Sequence, residues 1–131
     1  MIDRAQYSVL VVDDNAASRY ATSRALRAAG FNTVEAAGGA EALELVEFVS
    51  AVVLDVHLPD LLGFEVCRLL RSRAVTATMP VIHVSAVYVT EEDRSGGLET
   101  GADAYMIAPV DPMELIAKLD ELIALRTPSP T

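Results

Sequence analysis

The chain has 131 residues, the size of one domain, and its 52% hydrophobic content is too high for a disordered segment. Its net charge of −9 sets most of the surface against a polyanion, so direct nucleic-acid binding is not expected of it. A single cysteine, Cys67, excludes an internal disulfide and a cysteine metal cluster; strand-sized apolar runs argue against a membrane span, and Met1-Ile2-Asp3-Arg4 lacks the features of a signal peptide, so a cytoplasmic setting is expected.

Ser8 to Val12 reads as a strand of largely β-branched residues that ends in Asp13-Asp14. Asn15 to Ala29 reads as a helix stopped by Gly30. Asn32 to Ala36 is a second, more polar strand, and Gly39 to Phe48 is helical, with Ala42, Leu43 and Val46 on one face. Ala51 to Leu54 is a strand buried on both faces that ends in Asp55, and Pro59 and Gly63 punctuate the loop after it. Phe64 to Arg71 is the third helix, with Val66, Leu69 and Leu70 as its apolar stripe and Cys67 as a small core hydrophobe.

Pro80 opens a fourth strand that runs through Val84 and ends in the hydroxyl of Ser85; His83 within it is expected to be packed. Thr90 caps a helix that begins Glu91-Glu92-Asp93, acids suited to a helix N-terminus. That helix carries Gly96-Gly97, and each mid-helix glycine costs about 1 kcal/mol relative to Ala, so it is expected to be the least stable helix. Ala104 to Ile107 is a fifth strand running into Ala108-Pro109. Pro112 opens a last helix reaching about Leu125, with Leu115, Ile116, Leu119, Leu122 and Ile123 as its core stripe. Residues 1–126 are read as the domain and 127–131 as a tail or linker stub.

Strands alternating with helices imply an α/β doubly wound parallel sheet with helices on both faces. In such sheets, sites lie at the carboxyl ends of the strands, where Asp13, Asp14, Asp55 and Ser85 all fall. Gathered acids repel one another until a cation joins them, and Mg²⁺ or Mn²⁺ accepts carboxylate, carbonyl and water oxygens. Asp55 would then stand as a nucleophile toward a phosphoryl group, with Ser85 donating a hydrogen bond to it. The plainer alternative is that such acids only cap helices. A phosphatase of haloacid-dehalogenase type would want an Asp two residues after a nucleophile on strand one, but Asn15 stands there. The phosphate cradle of a flavodoxin and the G-x-x-x-x-G-K-[ST] loop are both missing.

Four segments carry a resemblance: Val9-Leu10-Val11-Val12-Asp13-Asp14-Asn15, Leu54-Asp55-Val56-His57-Leu58-Pro59, Val84-Ser85-Ala86 and Gly101-Ala102-Asp103-Ala104-Tyr105. Together they resemble, in order and over nearly the whole chain, the receiver domain of a two-component response regulator. The resemblance implies a flavodoxin-like, CheY-like fold with five strands in the order 2-1-3-4-5. It implies a phosphorelay module, not an enzyme, in which Asp55 accepts a phosphoryl group from a histidine kinase or phosphotransfer protein. Asp13, Asp14, Asp55 and the backbone carbonyl of His57 would hold the metal. Ser85 and Ala86 would contact the phosphoryl group, and Ser85 with Tyr105 would form the switch pair. A downstream protein or domain would use the face of the fourth helix, fifth strand and fifth helix, and a homodimer is a further expected partner state.

One position departs from the family pattern. A lysine usually precedes the proline after strand five, and here Ala108 precedes Pro109, whose peptide bond is expected to be cis as it often is in the family. The only lysine, Lys118, lies well into the last helix and reads as a surface charge. Two readings stay open: a receiver phosphorylated at Asp55 with a loosely coupled switch, or a pseudo-receiver that binds proteins without phosphorylation. The His57 ring, two residues past Asp55, is a candidate for part of the missing positive charge.

Overall fold

The apolar runs form five parallel strands. In the computed structural model, which describes residues 2–126, these are β1 (Ser8–Val12), β2 (Asn32–Ala36), β3 (Ala51–Asp55), β4 (Val81–Ser85) and β5 (Ala104–Ile107), in the order β2-β1-β3-β4-β5. This is the doubly wound, flavodoxin-like order expected. The connecting helices are α1 (Ala16–Ala28), α2 (Gly39–Leu45), α3 (Gly63–Ser72), α4 (Glu91–Glu99) and α5 (Pro112–Arg126). Two 3-10 turns, Arg4–Gln6 and Val46–Phe48, were not expected as such; the second ends what reads in sequence as one helix from Gly39 to Phe48. Residues 127–131, read as a tail, lie outside the described residues.

Period-two alternation along the strands sorts their side chains into two cores. Leu10, Val12, Val52 and Leu54 pack on one face with Val46, Val66 and Leu70 of the α2–α3 side. Val9, Val11, Val53 and Ile82 pack on the other with Leu26 of α1 and Leu115 and Leu119 of α5. Burial on both faces is why β1 and β3 read as unbroken apolar runs.

The helix ends follow local chemistry. Asn15 Oδ1 accepts from the Ser18 amide at 2.9 Å and caps α1, and Gly30 follows its other end at φ 110°, where a side chain would be strained. Thr90 and Asp93 form a reciprocal capping box at α4. Gly63 opens α3 one residue earlier than its apolar stripe suggests, and the reason is space. A Cβ there would lie 2.4 Å from the Asp55 carbonyl oxygen and 2.8 Å from the Val56 Cα. Both obstacles are backbone, so Gly63→Ala is expected to cost about 3 kcal/mol, the upper end of overpacking. Urea denaturation measures this; an unchanged midpoint would show that the α3 start can retreat from β3.

Candidate functional site

Strand register brings the expected residues to one edge. Val12 pairs with Leu54, so Asp13 and Asp55 emerge side by side; Asp55 pairs with Val84, and Ser85 with Ile107, which sets Ala86 and Ala108 at the same edge. Ligand oxygens of Asp13, Asp14 and Asp55 lie within 4.8 Å of one another. Asp13 Oδ1 accepts from the Asn15 amide at 2.9 Å, and Asp55 Oδ1 accepts from the His57 amide at 3.1 Å, so each carboxylate keeps oxygen lone pairs directed elsewhere.

Burial raises the Asp55 carboxyl to a pKa of about 6; the His57 amide opposes this, and the charges of Asp13 and Asp14 add to it. This supports a cation site, because a dication between the three acids removes the repulsion. The residues present fit Mg²⁺: hard carboxylate oxygens at a half-open edge with room for water.

A pH dependence follows. The folded-state pKa lies above the unfolded value of 3.8, so the protonated carboxyl contributes stability below 3.8, and that contribution is lost as pH rises through about 6. Metal-free protein is expected to become less stable from pH 5 to 7, a slope that Asp55→Asn removes. Mg²⁺ affinity is expected to fall as pH drops below about 6, because protonation blocks a ligand oxygen. Thermal unfolding and Mg²⁺ titration across this range check both signs.

Ser85 is buried, and its Oγ accepts from the amides of Val87 at 3.2 Å and Tyr88 at 2.8 Å, so the hydrogen it can donate is its own hydroxyl hydrogen. The Tyr105 ring is also buried, with its hydroxyl donating to the Tyr88 carbonyl and its face near Phe64 and His83. Burial pushes this phenol above its usual range, an effect the Ser85 hydroxyl opposes. His83 is a packed residue, as expected; burial lowers its pKa to about 4, so the ring is neutral. Gly97 of α4 sits directly on the Tyr105 ring, where a Cβ would come within 2.8 Å of a ring carbon. Gly96, its neighbour, has no atom within 4 Å of such a Cβ.

Ala108 is half-buried beside the acids, with its amide donating to the Ser85 carbonyl at 2.9 Å, and the Ala108-Pro109 peptide is cis. Lys118 pairs with Glu121 on the surface of α5 at 3.0 Å. His57 is exposed, its ring centroid 6.3 Å from that of Tyr88.

Two features escape a reading of the sequence. Asp60 in the β3–α3 loop accepts from the Gly39 and Ala40 amides at 2.8 and 2.9 Å and ties the loop after Asp55 to the start of α2. Its partners lie about twenty positions upstream, so no local pattern announces it. The second is a groove from the acids to the space between α1 and α5. Ser18, Ala21, Thr22 and Ala25 line its α1 side, and small residues at helical spacing were a signal for it.

Residues 9–120 match the family model described as the response regulator receiver domain. The transcriptional regulatory protein GltR of Pseudomonas aeruginosa is 40% identical over 118 residues, which are 88% of this chain and 48% of that protein. The receiver domain of a Francisella response regulator is similar in structure, with TM-score 0.85 and 29% identity over 92% of this chain and 99% of that one. So is the receiver domain of a sensor histidine kinase from Pseudomonas aeruginosa, which holds a magnesium ion in its active-site cleft; its TM-score is 0.82, with 27% identity over 90% and 98% of the two chains. The chain spans about half the length of the curated relatives it matches.

Proposed function

The chain belongs to the response regulator receiver domains of two-component systems, and from that premise we propose that it accepts a phosphoryl group on Asp55 from the phosphohistidine of a histidine kinase or phosphotransfer protein. The observation that carries this reading is the meeting of Asp13, Asp14 and Asp55 at one strand edge. An Asp55 carboxylate oxygen forms a bond to phosphorus as the phosphorus–nitrogen bond breaks, and the donor imidazole leaves as the neutral ring once protonated. Asp13, Asp14, Asp55 and the His57 carbonyl would hold Mg²⁺, which would supply positive charge to the phosphoryl oxygens. Ser85 donates its hydroxyl hydrogen, Ala86 borders the group, and Tyr105 reports the change beneath α4.

In this reading the module signals and turns over no substrate. Its output partner meets the face of α4, β5 and α5, where Ile107 and Met113 are exposed, and a second copy is a further occupant of that face. Some relatives are named transcriptional regulators and are about twice as long. Any DNA contact of such a longer protein is assigned to its other half, because this chain is acidic. A cytoplasmic setting accords with the kinase partner; among the described residues, no helix is long and apolar enough to cross a membrane.

One observation favours a second reading, a phosphorylation-independent binding module: among the described residues, no lysine or arginine lines the groove at Asp55. Acetyl phosphate or beryllofluoride with Mg²⁺ separates the two. An adduct on Asp55, seen by mass or by fluorine NMR, supports the phosphoacceptor; no adduct at saturating reagent overturns it and leaves the binding module.

A further inference from the structure

Asp13 and Asp14 are joined by one peptide unit, which lies between the end of β1 and the start of α1. The Asp13 amide donates to the Ala36 carbonyl of β2 at 3.1 Å. The Asp13 carbonyl, which belongs to the unit between the two acids, accepts from Arg19 Nη1 at 2.8 Å. Arg19 stands near the start of α1, and its own amide donates to the Asn15 carbonyl at 2.9 Å. Its Nε donates to Glu35 Oε1 on β2 at 3.1 Å, and the two side chains are 20% and 33% exposed. One guanidinium therefore fastens β2, α1 and the peptide that carries two of the three acids.

A planar guanidinium holds two acceptors at set angles, which a lysine ammonium does not. An anchored carbonyl fixes the plane of the Asp13–Asp14 peptide, and with it the directions in which both side chains leave the backbone. The Asn15 amide then holds Asp13 Oδ1 at 2.9 Å. We infer that Arg19, oriented by Glu35, is a positioning residue for the divalent cation, holding the Asp13–Asp14 peptide so that both carboxylates meet Asp55 in a geometry suited to Mg²⁺. The inference rests on the cation site of the proposed function and not on phosphoryl transfer.

The sign of the effect separates position from charge. Arg19 is a cation near the acids, so by charge alone its loss draws a dication in more strongly. By position its loss frees the peptide and weakens binding; groups that orient metal ligands contribute about tenfold to hundredfold in affinity. Mg²⁺ demands near-octahedral geometry and Ca²⁺ accepts a looser one, so a loosened site loses Mg²⁺ first.

Titration of the full chain with Mg²⁺ and with Ca²⁺, read by amide NMR of Asp14 and His57, tests this. Arg19→Met is expected to weaken Mg²⁺ by about tenfold or more and Ca²⁺ by less than about threefold. Arg19→Lys keeps the charge without the two-way hold, so it is expected to weaken Mg²⁺ by a smaller factor, again more than Ca²⁺. It carries the test should Arg19→Met not fold, as judged by thermal unfolding in chelator. Mg²⁺ bound undiminished by Arg19→Met, or by Arg19→Lys in its place, would overturn the inference, and so would equal losses for the two ions. Absence of Mg²⁺ binding in the unaltered chain overturns it together with the cation site. Mg²⁺ binding that depends on Arg19, beside a missing acetyl phosphate label, removes the phosphoacceptor alone.

Discussion

Asp55→Asn is expected to abolish phosphoryl labelling by acetyl phosphate while making the metal-free protein more stable at pH 7. The two effects have one cause. Asp55 is the acid pushed up to a pKa of about 6 by burial, with the charges of Asp13 and Asp14 adding to the rise. At neutral pH the fold holds a charge in a setting that disfavours it, and an amide of nearly the same shape removes that cost. The amide is not a competent nucleophile toward phosphorus, so the label is lost. Intact mass after acetyl phosphate and Mg²⁺, with thermal unfolding in chelator, gives both readouts. A label that survives in Asp55→Asn would move the phosphoacceptor elsewhere. A lower melting temperature would mean that the charge-assisted share of the bond from the His57 amide to Oδ1, at 3.1 Å, outweighs the cost of burying the charge.

Ala108→Lys is expected to act in the opposite direction on chemistry, tightening beryllofluoride binding by one to two powers of ten. Ala108 follows Ile107, which pairs with Ser85, so a lysine there starts from the strand edge that holds Asp55. Its ammonium would meet three carboxylates in a groove that, among the described residues, no other lysine or arginine lines. A charge-assisted hydrogen bond contributes about 1.5–3 kcal/mol, which sets the expected factor. The same ammonium should draw the Asp55 pKa down from about 6 and make labelling less dependent on Mg²⁺ concentration. Fluorine NMR of the beryllofluoride adduct across a Mg²⁺ series measures the change. An unchanged midpoint would mean that the ammonium turns to solvent.

Most of the fold was legible because its determinants are local. β-branched runs ended in polar residues at β1, β3 and β4, and Asn15, Gly30, Thr90 and Pro112 marked helix ends where they are found. The acids could be placed at one edge from chain order alone, since every strand of a parallel sheet delivers its carboxyl end to the same side. What could not be read depends on distance in the chain. Asp60 caps α2 across the β3–α3 loop, and the Gly63 position is set by the backbone of β3. The groove needs α1 and α5 to be seen together. Ala108 was visible as a departure, but the volume beside it was not.

The seat of Gly97 on the Tyr105 ring has a consequence in time. Beneath α4, Phe64, His83 and Tyr105 form a cluster of rings, their centroids 5.3 to 6.4 Å apart. The helix above them is nine residues long and interrupted by two glycines, only one of which packs. Its amides should exchange with solvent earlier than those of α5, and each opening uncovers an aromatic surface that the closed domain hides. Gly96→Ala, which meets nothing, should slow that opening about fivefold, given a gain near 1 kcal/mol. The lifetime of the covered state can thus be tuned by one methyl group that touches neither the acids nor the rings.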